Sequence, residues 1–247
     1  MEFTIHPNDF SNFLRCVSLL KDNCNDVEIR EGILRQRTND RAIIIEMDLN
    51  PLISDCDIVL SNAKQKLPLL KGISRQEVKI ISIDDTISFS GKPSIFKFTN
   101  PRLDFLDNKF FTDQEMANLF TLREEDVVFE YAISQEISNF MKVISKEFNI
   151  VTFQLLFEGN TASMTATTTS KDQYCCIEHG IPVKVPMKGF SNLVREPFFP
   201  DHDGDILFKM YKVQENVFIN KFKTLVGKVI VVVYGRSQLI EDSEEVS

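Results

Sequence analysis

The 247-residue chain has three histidines and five cysteines. His6, His179 and His202 lack metal-ligand spacing to one another or to any cysteine. Cys16, Cys24, Cys56, Cys175 and Cys176 are odd in number and contain no C-x-x-C pair, which argues against a disulfide framework and a zinc site. The expected setting is therefore reducing, the cytoplasm, with no metal and no other cofactor. No apolar run approaches the roughly 20 residues that span a bilayer. The start, MEFTIH, lacks the basic residues and apolar core of a secretory signal. Cations are in deficit: 28 basic against 36 acidic side chains leave a net charge of −8. That argues against tight nucleic-acid binding through overall charge but leaves a local basic surface open.

What is present reads as globular. Apolar residues make up 43% and charged residues 26%, which excludes disorder, collagen and coiled coil as whole-chain descriptions. The length suits one large domain or two small ones. Three local motifs invite chemistry and fail on detail. Asp201-His202-Asp203-Gly204-Asp205 resembles a calcium loop, but position 6 is Ile206 and position 12 is Lys212, so a polar turn is expected. Gly91-Lys92-Pro93-Ser94 resembles a phosphate loop, but Thr86 stands where its first glycine is required. Tyr174-Cys175-Cys176 reads as strand.

The chain is strand-rich with a few helical patterns. After a strand at residues 2–6, Phe10, Phe13, Leu14, Val17 and Leu20 recur at helical spacing. Strands follow at 27–30, 33–37 and 41–49, with Glu31-Gly32 as a hairpin signal. Residues 56–60 read as strand, 63–73 as a helix bent or begun at Pro68, and 78–83, 86–90 and 94–98 as three strands. Later strands are expected at 127–131, 151–157, 161–168, 173–178, 205–211, 216–222 and 228–234, and helices at 137–147 and 187–194. Residues 99–125 carry Phe105, Leu106, Phe110, Phe111, Leu119 and Phe120 and read as a docked connector.

A shift of 127 lays the second half on the first. Ser11-Asn12-Phe13-Leu14-Arg15-Cys16-Val17-Ser18 falls on Ser138-Asn139-Phe140-Met141-Lys142-Val143-Ile144-Ser145, with four identities. In the same register Glu31-Gly32 meets Glu158-Gly159, and Thr38 meets Thr165. We read this as duplication of a strand–helix–strands unit. The expected division is residues 1–110 and 127–240 as two such domains, 111–126 as connector and 241–247 as an acidic disordered tail.

On a helical wheel, Arg15, Lys142 and Lys146 lie opposite the apolar stripes, the second of which is Ile137, Phe140, Met141 and Ile144. Lys64 and Lys71, with Lys66 and Arg75, lie in a stretch without acids, and Lys188 and Arg195 face away from Met187, Phe190 and Val194. For any one helix this is an ordinary solvated face. Taken together, an acidic protein places cations on its helices, which leaves its excess acid to the strands, loops and tail. Such segregation points to a polyanion along one surface.

The duplicated unit resembles the repeating domain of DNA sliding clamps, the phage clamps and proliferating cell nuclear antigen among them. The paired Ser-Asn-Phe helices, the connector and the ending KVIVVVY…QLIED carry the resemblance, which spans nearly the whole chain. It implies an α+β fold of two tandem clamp domains, strands outside and helices inside, closing into a ring as a homotrimer. The implied function is non-enzymatic: the ring encircles double-stranded DNA without reading bases and tethers a DNA polymerase for processive synthesis, after loading by a separate clamp-loader ATPase. A phage-encoded clamp would act in the host cytoplasm. The DNA-facing residues are then Arg15, Lys64, Lys71, Lys142, Lys146, Lys188 and Arg195. Partner peptides would meet Leu119, Phe120, Leu122, Tyr234, Leu239 and Ile240. Ser94, Phe96 and Phe98 of one chain would pair with Tyr174, Cys176 and Glu178 of the next. The rivals are a monomeric processivity or scaffolding protein of the same fold, and a β-rich enzyme with a site of scattered acids.

Overall fold

The computed structural model describes residues 2–20, 24, 26–38, 43–53, 56–83, 86–99, 110–147, 152–168, 174–193 and 202–240. The chain divides into two compact units. Unit 1 comprises residues 1–119, 200–203 and 225–232; unit 2 comprises 120–199, 204–224 and 233–247.

Unit 1 begins with β1 (Glu2–Ile5) and α1 (Pro7–Ser18). Pro7 suits the first helical turn, where its missing N–H has no partner to lose. The His6 side chain accepts the Asn8 amide at 3.4 Å. Phe10, Phe13, Leu14 and Val17 are fully buried, and the Phe10 ring packs on Phe13 and on Phe89. Each such side chain contributes about 1.5–3 kcal/mol by leaving water, so this stripe is what attaches the helix.

Next come β2 (Val27–Arg30), β3 (Ile33–Arg37), β4 (Ile43–Asp48), a short α2 (Asn50–Ile53), β5 (Ile58–Leu60) and α3 (Ala63–Lys71). Three strands, β6 (Val78–Ile83), β7 (Thr86–Gly91) and β8 (Ser94–Thr99), precede α4 (Asp113–Leu119). One sheet has the order β1-β6-β7-β8, all antiparallel, which leaves β8 on an edge. In the other, β5, β2, β3 and β4 are neighbours in that order. The β2–β3 turn holds Glu31 and Gly32 at φ of 50° and 72°. A Cβ on Gly32 would stand 2.0 Å from Asn50 Oδ1, whose own amide donates to the Glu31 carbonyl at 3.2 Å. Gly32→Ala is therefore expected to lower unfolding free energy by about 1–3 kcal/mol, read from urea denaturation.

Unit 2 holds a 3₁₀ turn (Glu124–Asp126), β9 (Val127–Ile133), α5 (Gln135–Glu147), β10 (Thr152–Thr167), β11 (Tyr174–Asn192) and β12 (Ile206–Gln214). The last two strands are β13 (Val217–Val226) and β14 (Val229–Ile240), each of which has some residues in unit 1. The strands β14, β13, β12 and β9 are neighbours in that order, and β10 pairs with β11.

Several expectations are corrected. Residues 187–192 are strand rather than helix, and Lys188 stands opposite Glu158 in the β10–β11 ladder. Met187 and Phe190 stand three apart, a helical spacing, but the ladder with β10 supplies the backbone partners that make the stretch strand. Glu158-Gly159 lies within β10; Gly159 keeps a φ of 69°, and the register against β11 shifts after it. The connector contains α4, a helix the sequence reading did not assign.

The duplicated helices also differ in the faces they bury. Phe13 and Cys16 are fully buried in α1, but their counterparts Phe140 and Val143 are 47% and 55% exposed in α5. Ser138, not Phe140, joins Met141 and Ile144 in the buried arc. In unit 1, α3 packs beside α1 and widens its buried arc. Among the described residues of unit 2, α5 is the sole α-helix, so this second cover is missing.

Candidate nucleic-acid and partner interfaces

The cations expected on helices fall into distinct environments. On α3, Ala63, Leu67 and Leu70 are buried, and Lys64 and Lys71 are exposed with no acid on the helix. Lys66 is different. Its ammonium donates to Ser61 Oγ at 2.7 Å and lies 5.1 Å from the centre of the Phe98 ring. Burial lowers its pKa, partly offset by Asp26.

Arg15 is tied down. Its guanidinium reaches Asn12 Oδ1 at 3.1 Å and both oxygens of Asp203 at 3.3 and 3.4 Å. Asp203 also accepts the Gly227 amide at 2.6 Å. That amide first, and Arg15 second, hold the Asp203 carboxyl below the ordinary carboxylate range. The loop that resembles a calcium site thus works as an anchor, and among the described residues no cluster of His, Cys, Asp or Glu could hold a metal ion. Beneath Arg15, burial pushes the Cys16 thiol up to about 12, so it is inert at neutral pH.

On α5, Lys142 is half-buried. The helix carries Glu136 and Glu147 as well as Lys142 and Lys146, so it is not uniformly cationic. The Lys146 side chain and all of Arg195 lie outside the described residues. Lys188 is exposed on β11. Of the strands, loops and tail to which the excess acid is assigned, the last three strands carry little of it. Residues 206–240 carry Lys209, Lys212, Lys221, Lys223, Lys228 and Arg236 against the single acid Glu215.

The connector is fastened from both ends. In unit 1, Arg35 pairs with Asp113 and with Glu46, the Phe111 amide donates to the Arg35 carbonyl at 3.2 Å, and Arg30 and Arg37 cover the Phe110 and Phe111 rings. Arg30 also pairs with Glu28, which is 1% exposed; burial raises the Glu28 pKa, with Arg30 opposing. In unit 2, Phe120 stacks on Tyr234 at 4.6 Å, and Lys221 lies 5.6 Å from the same ring. Lys209 bonds Glu124 at 2.7 Å, and Lys184 bonds Glu130 at 2.9 Å. Its neighbour Glu130 is held down chiefly by Lys184, and the Lys209 pKa is raised chiefly by Glu124.

Of the six residues assigned to partner peptides, Phe120 and Tyr234 are brought together, with Leu122 half-buried. Leu239 is buried and donates its amide to the Asn216 carbonyl at 2.9 Å, and Ile240 is exposed opposite Phe190. Leu119 ends α4 in unit 1.

The two edge segments assigned to subunit contact differ in detail from the reading. On β8, Phe96 and Phe98 lie half-buried with rings 6.4 Å apart, and Ile95 on the opposite face is 63% exposed. Sequence reasoning missed Ile95, although two-residue alternation along the strand marks it. On β11, Tyr174 is 63% exposed, Cys176 is exposed and Glu178 is half-buried. The Tyr131 phenol is pushed up by burial and by the Glu178 carboxylate it bonds.

Solved structures share this fold over nearly the whole chain. One is proliferating cell nuclear antigen (PCNA) of A. fulgidus with the C-terminal region of FEN-1 bound: TM-score 0.60, 11% identity, 98% of this chain and 99% of that one. PCNA from Entamoeba histolytica gives 0.59, 11%, 96% and 98%, and the PCNA2–PCNA3 complex from Sulfolobus tokodaii gives 0.60, 10%, 96% and 99%. No protein-family model and no curated protein matches the sequence. The chain has the sliding-clamp fold. Among the described residues no helix is long and apolar enough to cross a membrane.

Proposed function

We propose that this chain is a DNA sliding clamp, three copies of which close a ring around duplex DNA and tether a polymerase. The observation that carries the reading is the whole-chain match to PCNA structures. Two clamp domains per chain and six per ring make three chains. The acid-free outer face of α3 with Lys64 and Lys71 supports DNA contact. Cations directed at phosphates hold the backbone without reading sequence. A few of them on a body of net charge −8 bind weakly and release with salt, which lets a ring slide. The contacts of Lys142, Lys146, Lys188 and Arg195 with DNA belong to the same proposal. So does a partner surface at Leu119, Phe120, Leu122, Tyr234, Leu239 and Ile240, where polymerase and loader peptides would dock. The protein would then act by tethering rather than by catalysis. The test is topological. Loaded onto nicked circular duplex by its cognate loader, the protein should stay bound at high salt and escape when the circle is linearised. Equal loss from circular and linear DNA would refute encirclement.

A further inference from the structure

Both charged side chains on α1 that face outward are already paired within unit 1. Asp9, Asn12 and Arg15 follow one another at three-residue spacing and so share a face. Lys228 bonds Asp9 at 3.0 Å, and Arg15 bonds Asp203. Between them the β13–β14 turn presses on Asn12 so closely that a Cβ on Gly227 would stand 2.4 Å from Asn12 Nδ2. On α3 the helix itself carries three lysines and no acid.

The Arg15–Asp203 contact is end-on, with each oxygen facing one terminal nitrogen. A phosphate takes the guanidinium fork in the same way, so carboxylate and phosphate compete for it. The pair lies within reach of a ligand, since the Arg15 and Asp203 side chains are 34% and 53% exposed. Such an exposed pair is weak enough for a phosphate to displace. Asp203 is held in place independently by the Gly227 amide, so it does not need Arg15 to stay there.

We propose that Asp203 is an intramolecular stand-in for a DNA phosphate, which occupies the fork of Arg15 and keeps the affinity of α1 for duplex low. This rests on the DNA-binding reading above and adds a residue to it. A sliding ring gains from such a brake on affinity, because a fully engaged arginine would hold it at one phosphate.

The experiment is fluorescence anisotropy of a short labelled duplex over a salt series. Asp203→Asn keeps an oxygen for the Gly227 amide and removes the charge. It should bind about three- to tenfold tighter at low salt, with a salt slope steeper by about 0.9 for each arginine that then meets a phosphate. The gain should vanish in Asp203→Asn with Arg15→Gln. If Asp203→Asn melts below the parent, Asp203→Ser repeats the test. Affinity unchanged on removing Asp203 would overturn the proposal. So would an equal gain in the Arg15→Gln background, because the effect would then be bulk charge alone. If Lys64→Glu with Lys71→Glu leaves binding unchanged, the DNA-binding reading itself fails, and the proposal with it.

Discussion

Ile95→Asp combined with Tyr174→Asp should give a monomer of 28.4 kDa at concentrations where the parent chain has three times that mass. β8 ends its sheet, and its outward Ile95 is exposed in the single chain. On β11, Tyr174 is equally exposed. If one edge adds to the other, both side chains leave water on assembly, each contributing about 1.5–3 kcal/mol. Losing both weakens every interface by about 3–6 kcal/mol, or roughly 10²–10⁴ in dissociation constant. Aspartates in the buried ladder add a desolvation cost. In the proposed ring the contact would be head-to-tail, so all three joints would carry the same damage. Light scattering across a concentration series measures it. A variant that keeps the parent's trimer mass would place the interface elsewhere, and a strictly monomeric parent would remove the ring.

The second large effect concerns α3. Lys64→Glu with Lys71→Glu should cut processive synthesis about 10- to 100-fold while the melting temperature stays within a few degrees. Both side chains are exposed, and surface changes of this kind usually move stability by no more than about 0.5 kcal/mol. The substitution reverses two charges per chain, six in a ring of three. Each lost phosphate contact removes about 0.9 from the salt slope. Product length on a primed template, at fixed polymerase, is the readout, with salt titration as the check on mechanism. Unchanged product length would move α3 to a surface that DNA does not meet. These two lysines are better probes than Arg15, whose reversal would set a glutamate against Asp203 and disturb the anchor itself.

The lesson of Phe140 is how far a repeated sequence carries. Ser-Asn-Phe recurs at a spacing of 127, and both copies are helical. Yet Phe13 is buried and Phe140 half-exposed, because the rotation of a helix is set by what packs beside it. Periodicity reports an apolar arc; it does not report how wide the cover is. Lys188 teaches the same point for strands. Its neighbours fit a short helix on the wheel, but a ladder partner at Glu158 makes that stretch part of β11.

The sequence by itself determined the order of β1 to β8 with α1 and α3, though not α2 or α4, the lack of a cysteine or histidine metal pattern in its own spacing, and the resemblance to clamp domains. These are local or additive properties: hydrophobic period, turn residues and counts. It also located β8, since alternation and length are legible along a strand. Only the tertiary structure paired Arg15 with Asp203, 188 residues away, and set Phe120 on Tyr234. Side chains so far apart along the chain meet through folding, and no spacing rule encodes which cation finds an acid. A charge counted on a helical wheel is a formal charge, and the partner brought to it by the fold settles whether it is available to a ligand.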